Sequence, residues 1–456
     1  MASRRSSVAI VACTLLVVAC TRTGTATDPT APPDVFASTP TIGDFSPATT
    51  AGPVPTRPPE IERTEILPVD PLSLEPLPGY DPIPMGDWMW GQPSPAGGYL
   101  AALVGSNRGT SEVRLIDLAN WQVVGLWAQS PESGLLVTDD GTVYLAGSGQ
   151  FQRLRLGDTV PEEVARLPAG FQPWSMSPLF DQALVAFGTR LQTGESASIV
   201  SIDVTSGMMS EIELPDVQVG PLDPESDAPD VFYVNPFPVF DIAGNRVLIV
   251  HGDADVISEI DLTTGTVSRH EFDSGDPAAP TLERSASMSP EGSILYVSGR
   301  KMTGNEVSGG SRTVTIEPVG VIAIDTATWE VRSQSDEPIA NIMLSPGGNR
   351  ILGWGFSTVE GDTVYQASSS GVFVLDAPSL TVLSRHHADE ESVWYTSFSF
   401  NAEGDIGYAS GWGQEARLES IDLTSGDIVA SLEGGDNLYM IGSIGILHAD
   451  AGAFTP

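Results

Sequence analysis

Reactive side chains are scarce in this sequence. Its 456 residues include two cysteines and five histidines, and Lys301 is the single lysine. The Gly-x-Ser-x-Gly motif of serine hydrolases, the His-Glu-x-x-His motif of zinc peptidases and the phosphate-binding P-loop are all missing. The sequence therefore offers no motif for those three kinds of chemistry.

Positive charge is also scarce. The chain has 59 Asp and Glu residues against 21 Lys and Arg residues, a formal net charge of −38. A nucleic-acid-binding surface needs a basic footprint to neutralise phosphate. We therefore predict no nucleic-acid partner, and an acidic surface that keeps the protein soluble.

The N-terminus has the pattern of an export signal. Arg4 and Arg5 precede a short apolar run, Val8–Ala19, which ends in a small residue directly before Cys20. The run is too short for a membrane-spanning helix. We predict a signal peptide over residues 1–19.

The residues around Cys20 closely resemble the bacterial lipobox. That resemblance implies that Cys20 receives a diacylglyceryl group, becomes the new N-terminus and anchors the protein to the extracytoplasmic face of the cell membrane, since two or three acyl chains suffice for stable anchoring. An ordinary secretory signal with a chance cysteine is the alternative. Because Cys13 leaves with the signal and Cys20 is lipidated, the mature chain has no disulfide and no thiol nucleophile.

Residues 20–60 are predicted to form a disordered tether. The segment is rich in Thr, Pro, Ala and Gly and has few large apolar residues, so it cannot bury enough surface to offset its ordering entropy. The remaining residues, 61–456, have a different composition and form the folded domain.

A repeat of about 40–50 residues organises that domain. Its clearest copy is Ser287–Val331, in which an apolar entry leads to a Ser-Pro-Glu-Gly turn and a β-rich run, and a later strand ends in Ile-Asp before a turn and another strand. Period-two apolar runs with Gly, Pro and Asp between them indicate four short antiparallel strands per copy. Such a repeat is typical of an all-β fold, the β-propeller of four-stranded blades.

Seven complete copies can be counted, and a half copy remains at each end. Asp436–Ala449 has the pattern of the inner half of a blade, whereas Val69–Leu74 parallels Leu375–Leu380 in the outer half of one. Joining the two ends completes an eighth blade and leaves the ring without open edges. We predict eight blades, with seven as the alternative because prolines surround Asp70.

The Ser-Pro-x-Gly turn and the Ile-Asp-x-x-x-Gly turn resemble the YVTN-type and WD-like repeats of bacterial β-propellers. The resemblance covers residues 61 to the C-terminus and implies a fold rather than one activity. We expect a binding or scaffold module for an envelope protein or a small ligand. The alternative is an extracytoplasmic enzyme, lactonase-like or like the quinoprotein dehydrogenases, with a metal or cofactor in the central channel.

An aspartate recurs at the end of the third strand of six copies. Such a carboxylate accepts backbone N–H groups and stabilises the turn, which is the role that we predict for these residues on the turns of the blades, away from the channel. The six residues are Asp117, Asp203, Asp261, Asp325, Asp376 and Asp422.

Three long connections are the candidate binding loops. The first, Pro215–Asp230, is acidic and includes Asp223, Asp227 and Asp230; a solvated loop is the prediction and a calcium site the alternative, because the spacing is not that of a calcium-binding loop. The second, Lys301–Arg312, is Gly- and Ser-rich and is expected to be a mobile hairpin tip. The third, Ser357–Ser370, is polar and includes Tyr365.

His386 and His387 precede three acidic residues, which suggests a metal site. Neighbouring residues of a strand point to opposite faces, so we predict that the pair does not chelate one ion. No cofactor is predicted.

Overall fold

The computed structural model describes residues 64–448 with short gaps. The described ranges are 64–86, 88–105, 111–129, 134–147, 149–177, 180, 182–190, 196–221, 233–275, 281–308, 311–361, 364–388, 393–401, 403–413, 417–433, 438–441 and 444–448. The predicted signal, Cys20 and the tether lie outside them. None of the described residues is helical, so this part of the chain has no helix that is long and apolar enough to cross a membrane.

Strands account for the whole fold of the described residues. In chain order they are β1 (Thr64–Pro68), β2 (Ile83–Pro84), β3 (Trp88–Pro93), β4 (Tyr99–Gly105), β5 (Ser111–Asp117), β6 (Gln122–Gln129), β7 (Gly134–Val137), β8 (Val143–Gly147), β9 (Gln150–Leu154), β10 (Glu162–Arg166), β11 (Phe171–Met176), β12 (Ala183–Arg190), β13 (Ser196–Asp203), β14 (Met209–Leu214), β15 (Gly220–Pro221), β16 (Tyr233–Val234), β17 (Phe237–Asp241), β18 (Arg246–Val250), β19 (Val256–Asp261), β20 (Val267–Glu271), β21 (Thr281–Met288), β22 (Ile294–Ser308), β23 (Ser311–Pro318), β24 (Val321–Asp325), β25 (Val331–Ser335), β26 (Asn341–Leu344), β27 (Arg350–Gly361), β28 (Val364–Asp376), β29 (Thr381–His386), β30 (Val393–Phe400), β31 (Ile406–Gly413), β32 (Arg417–Asp422), β33 (Ile428–Glu433), β34 (Leu438–Ile441) and β35 (Ile444–His448).

These strands form eight four-stranded units, so the fold is a β-propeller, as predicted. In five sheets four consecutive strands pair in chain order: β3–β6, β7–β10, β11–β14, β17–β20 and β30–β33. The fifth and sixth blades, built on β21-β22-β24-β25 and β26-β27-β28-β29, belong to one nine-stranded sheet because β23 joins them.

Both ends of the folded domain contribute to the eighth blade. Its strand order is β34-β35-β1-β2, so the C-terminal strands form the inner half and the N-terminal strands form the outer half. Thr64 pairs with His448 and Pro68 pairs with Ile444. The prolines that flank Asp70 do not interrupt the blade, because Pro68 is the last residue of β1 and Pro71 lies in the turn that follows. The prediction of a composite eighth blade is confirmed.

Each blade packs on the next through a hydrophobic cluster. Eight such clusters follow the ring, and each combines two successive blades. The cluster that closes the ring joins Ile66 and Met85 of the eighth blade to Leu100 and Ile116 of the first. In another, the rings of Trp354 and Phe398 stack with centroids 3.8 Å apart across the sixth and seventh blades. Burial of apolar surface between blades is therefore the main source of stability.

The recurring aspartates have the structural role that the sequence predicts. Asp203 Oδ1 accepts the backbone N–H groups of Thr205 and Ser206 at 2.9 and 2.7 Å. The same pattern recurs at Asp117, Asp261, Asp325 and Asp422, while the Asp376 carboxylate accepts the N–H of Ser379. Asp70, in the composite blade, accepts the N–H groups of Leu72 and Ser73.

The fourth residue after each of these aspartates has a left-handed backbone. It is a glycine in three turns, with φ of 70° at Gly207, 70° at Gly265 and 80° at Gly426. In four others it is a large residue, namely Leu74, Trp121, Trp329 or Leu380, with φ between 50° and 61°. A non-glycine residue there has a conformational cost, which packing offsets: Leu74 and Leu380 are buried, and Trp329 stacks on His270 of the preceding blade.

We predict that the turn aspartates make the protein acid-sensitive. Backbone N–H groups, first those of Ser206 and Thr264, hold the pKa values of Asp203 and Asp261 below the ordinary 3.8. A folded-state pKa below the unfolded value means that this stabilisation is present above pH 3.8 and is lost as the pH falls through the folded-state pKa. In the double variant Asp203→Asn/Asp261→Asn, the free energy of unfolding should therefore decrease less between about pH 5 and about pH 3 than in the wild type.

Urea titrations at each pH measure this difference. Asp81→Asn, which removes one carboxylate outside these turns, is the control for the change in net charge. If the free energy of unfolding fell with pH by the same amount in the wild type and in the double variant, the turn aspartates would not be the cause of the acid sensitivity.

Candidate functional site

The two ends of the blades differ in character. Connections in an antiparallel meander alternate between the ends of the sheet, so all Ser-Pro-x-Gly turns and aspartate turns lie at one end, which we call the turn face. The turns there are short and pack on one another: Ala96 N–H donates to Asp139 of the next blade at 2.6 Å. The opposite end, the loop face, has all three long connections that the sequence singles out.

Two of these connections form one small sheet on the loop face. The second half of β22 pairs with β23, and β23 also pairs with the second half of β27, with Thr313 opposite Gly361 and Ile316 opposite Thr358. The first half of β28 completes the order β22-β23-β27-β28. We call these four segments the insertion sheet. It connects the fifth blade to the sixth by backbone hydrogen bonds as well as by packing.

Three candidate residues that were expected to lie in loops lie in strands instead. Lys301 lies in β22 opposite Thr281 and Glu317, Arg312 lies in β23 opposite Val307, and Tyr365 lies in β28 opposite Glu360. The predicted hairpin exists, but most of Lys301–Arg312 is strand because its threonine and valine residues favour extended backbone. The structure describes no side-chain placement for Arg312 or Tyr365.

The insertion sheet has its own packing. Val314 and Ile316 are buried and contact Met302 across the ladder. At the base of this sheet, Arg300 donates to the Glu283 carboxylate from Nε at 3.0 Å and from Nη2 at 2.6 Å. The Arg300 guanidinium also lies 4.3 Å from the centroid of the Phe356 ring. These contacts hold the insertion sheet on the innermost strand of the fifth blade.

The acidic connection is described only at its two ends. Val217 and Val219 pack into the core between the third and fourth blades, and β15 then pairs with β16. Asp223, Asp227 and Asp230, with the alternative calcium site, lie outside the described residues.

A buried polar cluster lies under the loop face between the sixth and seventh blades. Glu419, in β32, is 1% exposed, and its carboxylate has His387 Nε2 at 2.9 Å and accepts the hydroxyl of Tyr395 at 2.9 Å. Arg417, two residues earlier on the same strand, is 3.2 Å from His387 Nδ1 and 4.0 Å from Glu419. We call these four residues the Glu419 cluster.

The hydrogen bonds of the Glu419 cluster define the state of its histidine. Arginine only donates, so His387 Nδ1 accepts from Arg417 and Nε2 must hold the proton that is donated to Glu419. Burial, followed by the Glu419 charge, raises the pKa of Tyr395 well above its usual range. Tyr395 therefore stays a hydroxyl donor, and a neutral imidazole completes the shell of a buried carboxylate.

His387 has a backbone conformation unlike that of its neighbours. Its φ is 56°, and of the six non-glycine residues with positive φ among the described residues only Asn245 and His387 lie outside the aspartate turns. Asn245 is in the turn between β17 and β18, whereas His387 directly follows β29. Strained residues that are held by a surrounding network are often functional.

His386 and His387 make separate contacts, as predicted for neighbouring residues. His386 Nε2 lies 2.6 Å from the carbonyl oxygen of Gly426, whereas His387 faces Glu419. Among the described residues, no three His, Cys, Asp or Glu side chains are grouped so that they could hold a metal ion.

Arg284 is a second buried charge near the loop face. It lies on β21 and donates to the Asp255 carboxylate at 2.8 Å and to the carbonyl oxygen of His251 at 3.1 Å. His251 is itself buried and lies 2.8 Å from Ser258 Oγ. These bonds attach the connection between β18 and β19 to the innermost strand of the next blade.

Sequence reasoning missed the Glu419 cluster apart from its histidine. One signal was available: Arg417 and Glu419 stand two residues apart on the third strand of a blade, Arg-Leu-Glu-Ser-Ile-Asp. Residues two apart on a strand share a face. A positive and a negative side chain on the same buried face of a strand predict an ion-paired, hydrogen-bonded network.

Comparisons with known proteins show no family for this chain. No protein-family model and no curated protein matches the chain. Solved structures similar to it include the dihydro-heme d1 dehydrogenase NirN, at 14% identity and a TM-score of 0.49 over 84% of this chain and 76% of that one. A manganese complex of oligogalacturonate lyase has 16% identity and a TM-score of 0.45 over 72% and 87%, and Sqt1 of Saccharomyces cerevisiae has 12% and 0.45 over 74% and 83%. At this level of similarity they assign no function to the chain.

Proposed function

We propose that this protein is a lipoprotein of the cell envelope whose β-propeller binds a partner through the loop face. The observation that carries the binding role is the insertion sheet, in which segments from two blades form one ordered surface beyond the ring. Rigid scaffolds that present variable segments at one end are typical of binding proteins. The turn face, by contrast, is made of short repeated turns.

The features of the N-terminus support the anchored location. A basic start, a short apolar run and Cys20 fit a lipidated export signal, and residues 21–60 supply a tether long enough to hold the propeller away from the membrane. The partner is an envelope protein or a small ligand, and Lys301, Arg312 and Tyr365 are candidate contacts because their strands belong to the insertion sheet.

The Cys20→Ala variant tests the anchor. Without the thiol there is no site for the diacylglyceryl group, so the variant should lose the lipid mass and leave the membrane fraction. Intact-mass measurement and membrane fractionation of the full chain check both results. Ser7→Ala, within the same signal, is the control for export. An unchanged membrane fraction for Cys20→Ala would contradict the lipid anchor.

Site-specific photo-cross-linking tests the binding face. A photoreactive amino acid at position 306 lies in the insertion sheet, and one at position 264 lies in the aspartate turn of the fourth blade on the turn face. Irradiation in native envelopes should give a cross-linked adduct from position 306 and none from position 264. Adducts from both positions, or from position 264 alone, would reject the loop face as the binding surface.

A further inference from the structure

One edge of the insertion sheet ends without a neighbouring strand. Within the described residues, the stretch 364–370 of β28 has β27 as its only partner strand, through Val364–Ser369, and Ser370 is unpaired and buried. The later part of β28 also pairs on its other side with β29, from Val372 opposite His386 to Asp376 opposite Thr381. The seven-residue stretch Val364–Ser370 has no charged residue and no proline. Exposed strand edges usually carry charged residues or proline, because these residues prevent pairing with other chains.

Two local features stop β29 from covering this edge. The register between β27 and β28 shifts at Ser370, so β28 bends there, and Gly371 has φ of 85°. A Cβ atom on Gly371 would collide with the backbone of His386, which shows how closely the end of β29 approaches the bend. Glycine is needed at such a close approach of two backbones.

The Glu419 cluster then turns the chain away from the edge. His387 would continue β29 alongside Gly371, but its positive φ ends the strand. Hydrogen bonds with Glu419 and Arg417 hold the imidazole in the seventh blade. A strained backbone held by a buried network thus ends β29 before it reaches residues 364–370, which have no partner strand but β27 among the described residues.

Charge in the surrounding sequence favours a basic occupant. Glu360 and Asp362 precede the stretch, and Asp389, Glu390 and Glu391 follow β29. The whole chain has a net charge of −38, so an edge-to-edge pair with a second copy would bring like charges together. Charge complementarity therefore favours a partner segment that contains lysine or arginine.

We propose that residues 364–370 of β28 bind an extended, basic segment of a partner protein as an additional strand. This rests on the proposed function and specifies its partner as a polypeptide. A seven-residue edge extends over about 23 Å and offers main-chain N–H and C=O groups to a partner strand. Main-chain bonds give the affinity in this mode of recognition, and flanking charges orient the partner.

Backbone-methylated peptides test the proposal on the full-length protein. The probe is a nine-residue peptide of alternating threonine and valine with lysine at both ends, labelled for fluorescence anisotropy. Two further versions carry N-methyl groups on the odd or on the even residues. Because alternate residues of a strand direct their N–H groups to opposite sides, one version should bind at least about tenfold more weakly and the other nearly as well as the parent.

Hydrogen exchange locates the bound peptide. The amides of 364–370 that face outward should exchange at least about tenfold more slowly with the lysine-flanked peptide. A peptide with glutamates at both ends is the charge control and should bind more weakly. Equal affinity of both N-methylated versions, no binding of the parent peptide, or protection of 364–370 in a dimer of the protein alone would overturn the proposal.

The outcomes separate this inference from the proposed function. Cross-linking of a partner at position 306 together with equal binding of both N-methylated peptides would reject strand addition and leave the loop face as the binding surface.

Discussion

Replacing Glu419 by leucine is expected to lower the free energy of unfolding by about 3–5 kcal/mol, which is the usual cost of breaking a buried charge network on one side. Glu419 is fully buried, and its carboxylate is the shared partner of His387 and the Tyr395 hydroxyl. Leucine leaves these two donors without their acceptor, and it removes the negative charge that lies 4.0 Å from the Arg417 guanidinium in this buried site. Urea titration at neutral pH measures the change.

The Glu112→Leu variant is the matched control for Glu419→Leu. Glu112 and Arg114 form an ion pair at the same two positions of the third strand in the first blade as Arg417 and Glu419, but in reverse order. The Glu112 side chain is 29% exposed, so its loss should cost only about 0–1 kcal/mol. Similar effects of the two substitutions would show that the Glu419 cluster is an ordinary surface pair.

Replacing Ile66 by aspartate is expected to open the ring. Ile66 lies in β1 opposite Ile446 of β35 and Ile83 of β2, and is fully buried between the eighth and first blades. A charged group there loses its hydration and the apolar contacts, at a cost of about 4 kcal/mol or more. The N-terminal strands should detach, because β1 is attached mainly through this blade.

Limited proteolysis measures that detachment. Cleavage within residues 64–84 should be rapid in Ile66→Asp and slow in the wild type, and the urea midpoint should fall. Leu72→Asp is the control, since Leu72 is 52% exposed in the same segment and a charge there meets water. Wild-type protease resistance in Ile66→Asp would mean that the composite blade does not depend on β1.

The repeat made most of the fold predictable. A turn aspartate such as Asp203 bonds to residues two and three positions later, so its signal lies within five residues, and it recurs in six of the seven complete copies. The half copies at Asp70 and at Asp436–Ala449 were recognisable for the same reason. Their pairing could be predicted because an open ring would leave two strand edges with unpaired backbone N–H and C=O groups.

The insertions were harder to predict because their partners are distant in the sequence. Lys301–Arg312 has glycine and serine at its tip, which favours a turn, and its single threonine and single valine are compatible with either a loop or a strand. The extended conformation of these insertions depends on the pairing of Thr313–Ile316 in β23 with Thr358–Gly361 in β27. A local sequence pattern does not predict that the connections of two neighbouring blades will pair with each other.

By itself the sequence determined the blade, the number of blades and the turns, because each depends on hydrogen bonds and apolar alternation within one repeat. It also predicts an export signal that ends at Cys20, ahead of the folded domain. The tertiary structure alone decided that two insertions form one sheet and that Glu419, Tyr395, Arg417 and His387 converge. It also decided that, in the part of the chain that the structure describes, residues 364–370 of β28 have only β27 as a partner strand. These features depend on contacts between blades, whose geometry is set by packing around the ring rather than by neighbours along the chain.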